Sequence, residues 1–444
     1  MIISENTPVS FNDPLPDAVD YLIIGGGVIG VSIAYFLAKQ NKKVLLCEKG
    51  RIAGEQSSRN WGWLRQQGRH TSELSIMKES LAIWKGLAAE IGEDVGFTQG
   101  GCLYLAENAA EMAEYAAWKD EVATTHQLDT RLFSKSQVNL MLNDPNGNWA
   151  GAMCTPSDGR AEPFIAVPKI AKAAQRLGAK IIENCAVRTV ERSAGIITQV
   201  RTELGAVSVG KVVCAAGAWS SLFMGNMGVR LPQLTVRGCV ARTKAVDNFY
   251  NGNAVSSKIA FRRRQDGGYT IALGDEFDHT LVPDSFRYLP KFFPLFKESL
   301  GHFSVNLNHE FFMEINKRRV WTGDDKTIFE KRRVLNPQAN PKMLKRMLKY
   351  LKAYVPQLGD VEFAESWAGM IETSPDVLPI ISEIDGDPGF FVVTGLSGHG
   401  FGIGPGVGRV VADLMQGKPV GHDLTPFKLS RFYDGSPIIP GPSL

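Results

Sequence analysis

Short apolar runs separated by polar residues dominate the start of the chain. Residues 21–24 and 44–47 are continuous apolar runs of strand length, and apolar residues recur with helical spacing over 31–37 between them. Runs that are apolar on both faces are typical of strands buried in a parallel sheet. The pattern therefore predicts a strand, a helix and a second strand, which together form a β-α-β unit about thirty residues long.

Runs of the same two kinds continue along the chain. Helical spacing predicts helices at 71–91, 109–122, 165–177 and 407–415. Strand-like runs are predicted at 100–105, 180–183, 186–190, 196–202 and 211–217.

The pattern of apolar and polar residues changes in the second half of the chain. Between 231 and 356, alternating strands such as 236–243 and 269–273 are followed by helices. Residues 390–395 then return to the buried, parallel type of strand. The chain is therefore predicted to leave a first α/β domain, to form a second domain, and to return to the first.

Three glycines stand between the first predicted strand and the helix. Gly25, Gly27 and Gly30 form a G-x-G-x-x-G sequence, and Glu48 directly follows the second strand. Glycines at these positions permit a tight turn, close approach of the backbone to a pyrophosphate, and close packing of the helix on the strand. A carboxylate at Glu48 accepts hydrogen bonds from an adenosine ribose and repels a 2′-phosphate, so the motif predicts a dinucleotide and disfavours NADP.

A second glycine-rich segment follows the strand at 390–395. Five glycines occur between 400 and 408, just before the predicted helix, and Gly217 ends the strand-like run at 211–217. We interpret both as further places where the backbone approaches a cofactor. NAD needs little contact of this kind, whereas a flavin dinucleotide does, so the pattern favours FAD.

Composition narrows the class of protein. The chain has 444 residues, 44% of them apolar, which suffices for two or three domains with buried cores. Six widely spaced cysteines with no C-x-x-C pair predict free, mostly buried thiols and no metal site. The start of the chain lacks the pattern of a signal peptide, and no apolar run reaches the roughly 18 residues of a spanning helix, so we expect a soluble, cytoplasmic protein.

Positive charge is concentrated in one segment. Residues 317–352 contain twelve Lys and Arg against three Asp and Glu, whereas the whole chain has a formal charge of +3. No nucleic-acid motif accompanies the segment, so a solvated face is the favoured interpretation and no nucleic-acid partner is expected. The amphipathic helix predicted at 341–355 and the apolar residues 292–296 suit packing on a core or, as the less favoured alternative, docking on a membrane surface.

Segments that should face the cofactor carry a family resemblance. Residues 54–63 (GEQSSRNWGW), 216–220 (AGAWS) and 374–381 (SPDVLPII), with the glycine run that follows, resemble the D-amino-acid-oxidase-like superfamily of FAD-dependent oxidoreductases. The resemblance covers the full length of the chain.

Within the superfamily, the chain is most similar to bacterial L-amino-acid deaminases and L-amino-acid oxidases. The likeness rests on residues 52–59, 366–370 (SWAGM) and 379–383 (PIISE), and on an insertion at about 287–356. Two features depart from the deaminases: their initial membrane helix is missing, and His399 stands where they have a tryptophan beside the flavin. These departures leave the electron acceptor and the preferred side chain open.

The resemblance implies an α/β fold in which a discontinuous, Rossmann-like FAD-binding domain is joined to an α+β substrate-binding domain. The first domain is assigned residues 18–96, 157–230 and 372–444, and the second residues 97–156 and 231–371, which include the basic insertion. FAD is expected to bind without a covalent link. The residues expected to contact it are Gly25, Gly27, Val28, Ile29, Gly30, Glu48, Lys49, Gln56, Ser57, Ser58, Arg59, Asn60, Trp61, Gly62, Val187, Ala216, Gly217, Trp219, Gly369, Gly398, His399, Gly400, Phe401 and Gly402.

Two residues are the candidates for catalysis. Arg262 follows a phenylalanine, as the substrate arginine of the deaminases does, and a guanidinium fork would fix a carboxylate by two parallel bonds. Strand alternation puts Arg262 and Arg264 on one face and Arg263 on the other, with a solvated basic turn as the alternative. His399 is expected to face the substrate or the flavin, or to satisfy loop backbone.

Five residues are further candidates for the substrate site, and two of these, Arg65 and Gln66, are the weaker ones. Trp61, Trp63 and Trp367 are candidates for an apolar side-chain pocket, although buried tryptophans usually belong to the core. Arg65 and Gln66 follow the flavin-facing segment without a distinct chemical signal of their own.

The resemblance implies an enzyme that oxidises an amino acid, by this likeness an L-amino acid, to a 2-oxo acid and ammonia. Electrons would pass to oxygen and give hydrogen peroxide. The alternative is an FAD enzyme for secondary amines, N-methyl amino acids or opines with a quinone or partner-subunit acceptor. An NAD-dependent dehydrogenase is disfavoured by the closing glycine run, and a non-catalytic flavoprotein is a further alternative. The expected partner is a small amino acid, and a homo-oligomer stays open.

Overall fold

Two large β-sheets form the frame of the molecule, as seen in a computed structural model that describes residues 2–298, 303–307 and 309–441. The strands are β1 (Ala18–Ile24), β2 (Val44–Cys47), β3 (Trp63–Leu64), β4 (Thr98–Gln99), β5 (Cys102–Ala106), β6 (Arg131–Ser134), β7 (Gly151–Thr155), β8 (Gly159–Arg160), β9 (Lys180–Ile182), β10 (Val187–Ser193), β11 (Ile196–Thr202), β12 (Gly205–Cys214), β13 (Leu234–Thr243), β14 (Asn253–Val255), β15 (Ile259–Arg263), β16 (Tyr269–Leu273), β17 (Phe277–Thr280), β18 (Phe303–Asn306), β19 (Phe363–Thr373), β20 (Ile380–Glu383) and β21 (Phe390–Thr394).

Helices of very different length connect these strands. They are α1 (Val28–Lys39), α2 (Gln56–Arg59), α3 (Thr71–Ile91), α4 (Ala109–Trp118), α5 (Lys135–Met141), α6 (Pro163–Arg176), α7 (Ser220–Asn226), α8 (Pro283–Arg287), α9 (Leu289–Glu298), α10 (His309–Ile315), α11 (Ile328–Lys331), α12 (Pro341–Tyr354) and α13 (Gly400–Met415).

The first sheet is mainly parallel. Strand β1 lies between β12 and β2, β9 extends the sheet beyond β2, and β21 pairs in parallel with β12. Alternate residues of β1 enter different cores: Ile23 packs with α1, α3, α6 and α13, whereas Leu22 and Ile24 pack on the opposite face. Both faces are buried, which explains why β1 and β2 are continuously apolar. This is the Rossmann-like arrangement that the sequence predicts.

The second sheet is mainly antiparallel. Its strand order is β18-β17-β13-β16-β15-β14-β5-β7-β6, and β19 pairs with β13 along almost its whole length. Helix α12 packs on this sheet through Met343, Met347 and Leu351, all of which are buried. A third, short sheet joins β3, β8 and β4. The boundaries of the two predicted domains stay a prediction.

Most of the predicted elements are confirmed, and several to the residue. Helix α3 and strands β2, β11 and β16 have the predicted bounds. The predicted helix at 109–122 is shorter, because α4 passes at Lys119–Ala123 into a π-helical turn.

The closing glycine run is the main correction to the predicted elements. Helix α13 begins at Gly400, seven residues before the predicted start, so the run lies inside a helix rather than before one. A Cβ at Gly404 would lie 2.7 Å from a methyl carbon of Val28, and one at Gly408 would lie 2.3 Å from the Cβ of Ser32. The glycines therefore serve close packing of α13 on α1, an alternative that the motif alone does not distinguish from cofactor contact.

Helix α12 is packed on the core, as one of its two predicted alternatives requires. Its apolar face is turned to the second sheet, with Met347 and Leu351 fully buried, so that face is not free to dock elsewhere. In the apolar segment 292–296, Phe292 is buried, whereas Phe293 and Phe296 are exposed. Over the ranges that the structure describes, no helix combines the length and the apolar character needed to cross a bilayer.

The six cysteines are free and buried, as predicted. No group of three or more side chains suited to a metal ion occurs within residues 2–298, 303–307 and 309–441.

Candidate functional site

A long cleft opens at the carboxyl ends of β1, β2 and β12, where α1 begins. Ligands of open parallel sheets bind at this edge because loops and helix N-termini converge there. Of the residues predicted to contact a cofactor, those that line this cleft are Gly25, Gly27, Val28, Ile29, Glu48, Lys49, Gln56, Ser57, Asn60, Val187, Ala216, Gly217, Trp219, Gly398, Gly400 and Phe401. The sequence motifs are thus brought together along one surface, although their roles stay predictions.

The three glycines of the first motif differ in what they permit. Gly25 has φ +109°, and a Cβ there would lie 2.5 Å from the carbonyl oxygen of Ala215. A Cβ on Gly30 would lie 1.9 Å from the carbonyl oxygen of Gly25, so this glycine allows α1 to pack on its own strand. At Gly27, apart from its neighbours in the chain, the described residues place a single atom within 4 Å of an added Cβ: Oγ of Ser57, at 3.0 Å. The fold therefore requires glycine at 25 and 30, whereas at 27 the protein leaves space beside the cleft, as the predicted contact with a pyrophosphate requires.

Glu48 lies at the end of β2, where it lines the cleft. Its two carboxylate oxygens accept hydrogen bonds from the backbone N–H groups of Gly26 and Gly50, both at 2.7 Å. Burial raises the pKa of Glu48, although Lys49 and the two amides oppose that effect. The carboxylate is held in a fixed position with lone pairs left for ribose hydroxyls, as the motif requires.

The far end of the cleft is closed by aromatic and charged side chains. The indole of Trp219 donates to the carboxylate of Glu55 at 3.0 Å, and Lys49 pairs with the same carboxylate at 2.6 Å. Lys49 also donates to the backbone carbonyls of Arg332 and Arg333. Part of the predicted insertion is therefore fastened over this end.

Eight residues of the predicted cofactor set do not line the cleft. Arg59 and Trp61 line a neighbouring cavity instead, and the remaining six are Gly30, Ser58, Gly62, Gly369, His399 and Gly402. Gly62 and Gly369 are packed against Arg262 and Gln56, where a Cβ would be too close. The carbonyl of Gly402 accepts hydrogen bonds from Ser80 and Trp84 of α3. At Gly62, Gly369 and Gly402 the neighbouring protein atoms account for the contacts seen, and direct cofactor contact at the eight positions stays a prediction.

A second cavity, of about 390 Å³, adjoins the cleft. Its volume lies within the range of roughly 300–1,000 Å³ usual for small-molecule sites. The two cavities share Gln56, Asn60, Gly398 and Phe401 as lining residues. The second cavity is also lined by Arg59, Trp61, Trp63, Arg65, Gly68, Arg69, Tyr104, Glu111, Glu114, Tyr115, Gly238, Val240, Val255, Ser256, Ser257, Gly274, Asp275, Phe277 and Ile371. A ligand here would therefore meet a cofactor held in the cleft.

Like Arg59, which is buried, Arg65 is a guanidinium of this cavity whose hydrogen-bond partners in the described ranges are neutral groups. It donates to the hydroxyl of Tyr104 and to the carbonyl of Gln67, and its Nη2 lies 3.4 Å from Nε2 of His399. No carboxylate lies within 4 Å of it in the described ranges. Arg69, by contrast, is buried and lies 3.6 Å from Glu73. Arg65 is thus oriented by neutral groups, and the carboxylates of Glu73 and Asp158 act on its charge without forming an ion pair with it within the described residues.

The loop that carries Arg65 rests on a buried carboxylate. Asp158 accepts hydrogen bonds from the backbone N–H groups of Gln66 and Gln67, and the side chain of Gln66 donates to it as well. Burial raises the pKa of Asp158 to about 6. Gln66 therefore serves the shape of the loop, and of the two weaker candidates only Arg65 reaches the cavity.

His399 lies behind Arg65 rather than on the cavity surface. Its side chain is 3% exposed, with Nδ1 3.3 Å from the carboxylate of Glu73. Burial and the charge of Arg69 lower the pKa of His399 to about 4. Burial would raise the pKa of Glu73, but His399, Arg69 and Arg65 outweigh it and lower that pKa to about 2. The imidazole is therefore neutral at neutral pH: Nδ1 donates to the ionised Glu73, and Nε2 accepts from Arg65.

The structure corrects the prediction that Arg262 binds a substrate carboxylate. Strand alternation is as predicted, since Arg262 and Arg264 both reach Thr270 while Arg263 lies over the ring of Tyr269. However, the Arg262 guanidinium already holds a carboxylate. Nη1 and Nη2 donate to the two oxygens of Glu162 at 3.0 and 3.1 Å.

Burial completes the correction for Arg262. Its side chain is 1% exposed and lines neither cavity. The partner carboxylate comes from a residue one hundred positions earlier in the chain, just before α6, so the pairing has no local signal in the sequence.

The tryptophans divide between the cavity and the core. Trp61 and Trp63 line the second cavity, with their rings 5.3 Å apart in a T-shaped contact. Trp367 is buried in β19 and donates its indole N–H to the carbonyl of Arg59 at 2.9 Å. Sequence reasoning missed Tyr104, which comes from β5, and Glu372, a buried carboxyl in the first cleft whose pKa burial raises to about 7.

Comparisons with known proteins agree with this geometry. A model of the FAD dependent oxidoreductase family (DAO) matches residues 20–414. Glycine oxidase of Bacillus subtilis is 25% identical over 429 residues, which cover 92% of this chain and 96% of that protein. A 4-methylaminobutanoate oxidase (formaldehyde-forming) of Paenarthrobacter nicotinovorans is 30% identical over 238 residues, but the aligned part is 53% of this chain and only 29% of that protein.

A solved structure resembles the whole molecule. The L-amino acid deaminase from Proteus myxofaciens, in complex with anthranilate, superposes with a TM-score of 0.91 at 30% identity, over 96% of this chain and 97% of that chain. The predicted superfamily, its fold class and FAD as its cofactor are thereby confirmed. The glycines and Glu48 of the cleft fit this cofactor.

Gly27→Val should abolish FAD binding without unfolding the protein. The added side chain has room beside protein atoms, apart from Ser57, but it fills the space where the backbone approaches the pyrophosphate. The flavin-to-protein absorbance ratio of the purified protein measures the effect. Gly86→Val is the control that should keep its flavin, because Gly86 is on the exposed face of α3, where no described atom outside the helix backbone lies within 4 Å of an added Cβ. A folded Gly27→Val protein with full flavin content would contradict the assignment.

His399→Gln should make the protein less sensitive to mild acid. Unfolded histidine binds a proton below about pH 6.5, whereas His399 in the folded protein does so only near 4. The stability due to neutral His399 is therefore complete above about pH 6.5 and is lost as the pH falls towards 4. Between about pH 7 and pH 5 the melting temperature should fall more in the wild type than in the variant, because glutamine does not titrate in this range. Equal falls would contradict a neutral, buried His399.

Proposed function

The chain belongs to the FAD-dependent oxidoreductase family, and on that basis we propose that it oxidises the α-carbon of an L-amino acid. The product of this step is a 2-imino acid, which water hydrolyses to a 2-oxo acid and ammonia. When bound in the cleft, FAD would supply the acceptor for the hydride that leaves the carbon bearing the amine. The protein must then bind the carboxylate, orient the α-carbon towards the cofactor cleft and exclude water.

The position of Arg65 carries this proposal. Its guanidinium lines a cavity that shares a wall with the FAD cleft, and it has no protein carboxylate as a partner in the described ranges. A guanidinium binds a carboxylate through two parallel, charge-assisted hydrogen bonds, which fix orientation as well as charge. The substrate carboxylate would supply the negative charge that Arg65 lacks.

The surroundings of Arg65 favour the reactive form of the substrate. Trp61, Trp63 and Phe401 give the cavity apolar walls where it meets the cleft. A dry site beside a guanidinium disfavours an ammonium group and thus lowers the pKa of the substrate amine. The neutral amine can release a hydride from the adjacent carbon, so no dedicated base is needed.

Two further features of the proposal rest on the relatives. The L configuration follows the L-amino acid deaminase that superposes over nearly the whole chain. Oxygen as electron acceptor, with hydrogen peroxide as product, follows the glycine oxidase that aligns over nearly its full length.

Anaerobic reduction of the bound flavin by single amino acids tests the proposed reaction. L-amino acids should bleach the flavin absorbance and yield equimolar 2-oxo acid and ammonia, whereas their D enantiomers should not. In air, turnover should release hydrogen peroxide. Bleaching by sarcosine or another N-methyl amino acid alone would instead favour the secondary-amine alternative, and no bleaching by any amine would contradict an oxidase.

Arg65→Ala should impair substrate binding and reduction more than any change at Arg262. Loss of the fork leaves the substrate carboxylate unpaired, so kcat/KM should fall by the equivalent of roughly 2–5 kcal/mol. Arg65→Lys keeps the charge without the fork and should lie between Arg65→Ala and the wild type. The rate of anaerobic flavin reduction at several substrate concentrations separates binding from the reduction step.

Arg262→Ala is the contrasting variant. It leaves the buried Glu162 carboxylate without its ion-pair partner, which should lower the free energy of unfolding by roughly 3–5 kcal/mol. Arg263→Ala, on the opposite face of β15, is the control for surface charge. Near-normal reduction rates in Arg65→Ala would place the carboxylate site elsewhere.

A further inference from the structure

Residues 327–335, which belong to the basic insertion, lie over the cofactor cleft beside Lys49. The side-chain ammonium of Lys49, which lines the cleft, donates to the backbone carbonyl of Arg333 at 2.8 Å. The guanidinium of Arg333 donates in return to the carbonyl of Lys49 at 2.9 Å. The two segments are in close contact, because a Cβ on Gly50 would lie 2.1 Å from the carbonyl oxygen of Arg333. We call residues 327–335 the clasp.

Two ion pairs fasten the clasp to the first sheet. Arg333 pairs with Glu203, which lies between β11 and β12. Glu330 pairs with Arg188 of β10 at 2.9 Å, and the side chain of Glu330 is only 4% exposed. Both partners of the clasp therefore come from the cofactor-binding part of the molecule, more than one hundred residues earlier in the chain. Either pair has to break before the clasp can move away from the cleft.

Phe329 is the residue of the clasp that lines the cofactor cleft. Its side chain is buried, and its ring is part of the cleft wall. The rings of Trp321 and Trp219 hold it in place by T-shaped contacts, with centroids 5.4 and 5.6 Å away. The indole N–H of Trp321 is fixed in turn, since it donates to the carbonyl of Arg188 at 2.7 Å. A flat apolar ring held in this way suits contact with a flat base such as adenine.

We propose that Phe329 contacts the adenosine part of FAD, and that the clasp opens whenever FAD enters or leaves the cleft. Glu48, which the glycine motif assigns to the adenosine ribose, lines the cleft directly before Lys49, so the clasp lies over that part of the cofactor. A gate of this kind slows entry and release alike, and therefore retains FAD without changing its affinity. The inference concerns the cofactor alone and is independent of the proposed substrate.

Glu203→Gln tests the gate. It weakens the attachment of the clasp without altering the cleft wall, and glutamine can still accept the hydrogen bond from the N–H of Ala186. Exchange of bound FAD for radiolabelled FAD in the holoenzyme should become about fivefold faster, as for the loss of one partly screened ion pair. The dissociation constant of FAD from equilibrium dialysis should stay the same. Unchanged exchange, or a dissociation constant that rises by the same factor as the exchange rate, would overturn the gate.

Phe329→Ala tests the contact with FAD. The dissociation constant of FAD should rise about three- to tenfold, as for the loss of one aromatic contact. ADP has the adenosine and pyrophosphate of FAD but no flavin, so the ADP concentration that displaces half of the FAD should be the same in the variant and the wild type. An unchanged dissociation constant, or displacement by less ADP, would overturn a contact with adenosine. Phe329→Leu keeps most of the apolar volume and gives the same comparison if the alanine variant does not fold.

Arg318→Gln is the matched control for the loss of an ion pair. Arg318 pairs with Asp325 at 2.9 Å, both residues belong to the insertion, and neither lines the cleft. This variant removes an ion pair from the same insertion but leaves the attachment of the clasp intact. Its FAD exchange rate and dissociation constant should therefore equal those of the wild type. Exchange as fast as in Glu203→Gln would overturn the role of the pair between Arg333 and Glu203.

Discussion

The close approach of α13 to α1 and α3 is the constraint on which both cavities depend. Gly404 and Gly408 meet α1 where side chains would collide, and a Cβ on Gly406 would lie 2.7 Å from the carbonyl oxygen of Ile76 in α3. The hydroxyl of Ser80 bridges the carbonyl of Gly402 and the N–H of Gly406, next to Pro405, and so fastens the helix start to α3. Because α13 starts this close to α3, its first residues reach the cleft and the second cavity together.

The packing of α13 on α3 also sets the environment of His399 and Arg65 at the second cavity. His399 directly precedes α13 and meets Glu73 near the start of α3, so helix packing fixes the distance between them. A neutral imidazole between an ionised carboxylate and a guanidinium satisfies both of its nitrogens. His399 therefore orients Arg65 without adding charge, and the guanidinium remains available to a ligand.

Buried charge in this protein is mostly paired, and the contrast between two arginines shows what pairing means for function. Arg262 and Glu162 neutralise each other in the interior, where an unpaired charge would be costly. Arg65 is held by a hydroxyl, a carbonyl and an imidazole instead. Such a site retains a positive charge that a substrate can use. Charged residues of the basic insertion are paired in the same way: Arg333 pairs with Glu203, and Glu330 pairs with Arg188.

The sequence by itself determined the Rossmann-like unit and the bounds of several elements, because these depend on local spacing. The sequence also contained a signal for Arg65 that was not used. Side chains two positions apart in an extended segment face the same side, and Trp61, Trp63 and Arg65 all line the second cavity. Only the tertiary structure decided that the glycine run packs helices and that Arg262 is neutralised by Glu162. Those outcomes depend on partners far away in the chain, and no local pattern records which distant side chain a residue will meet.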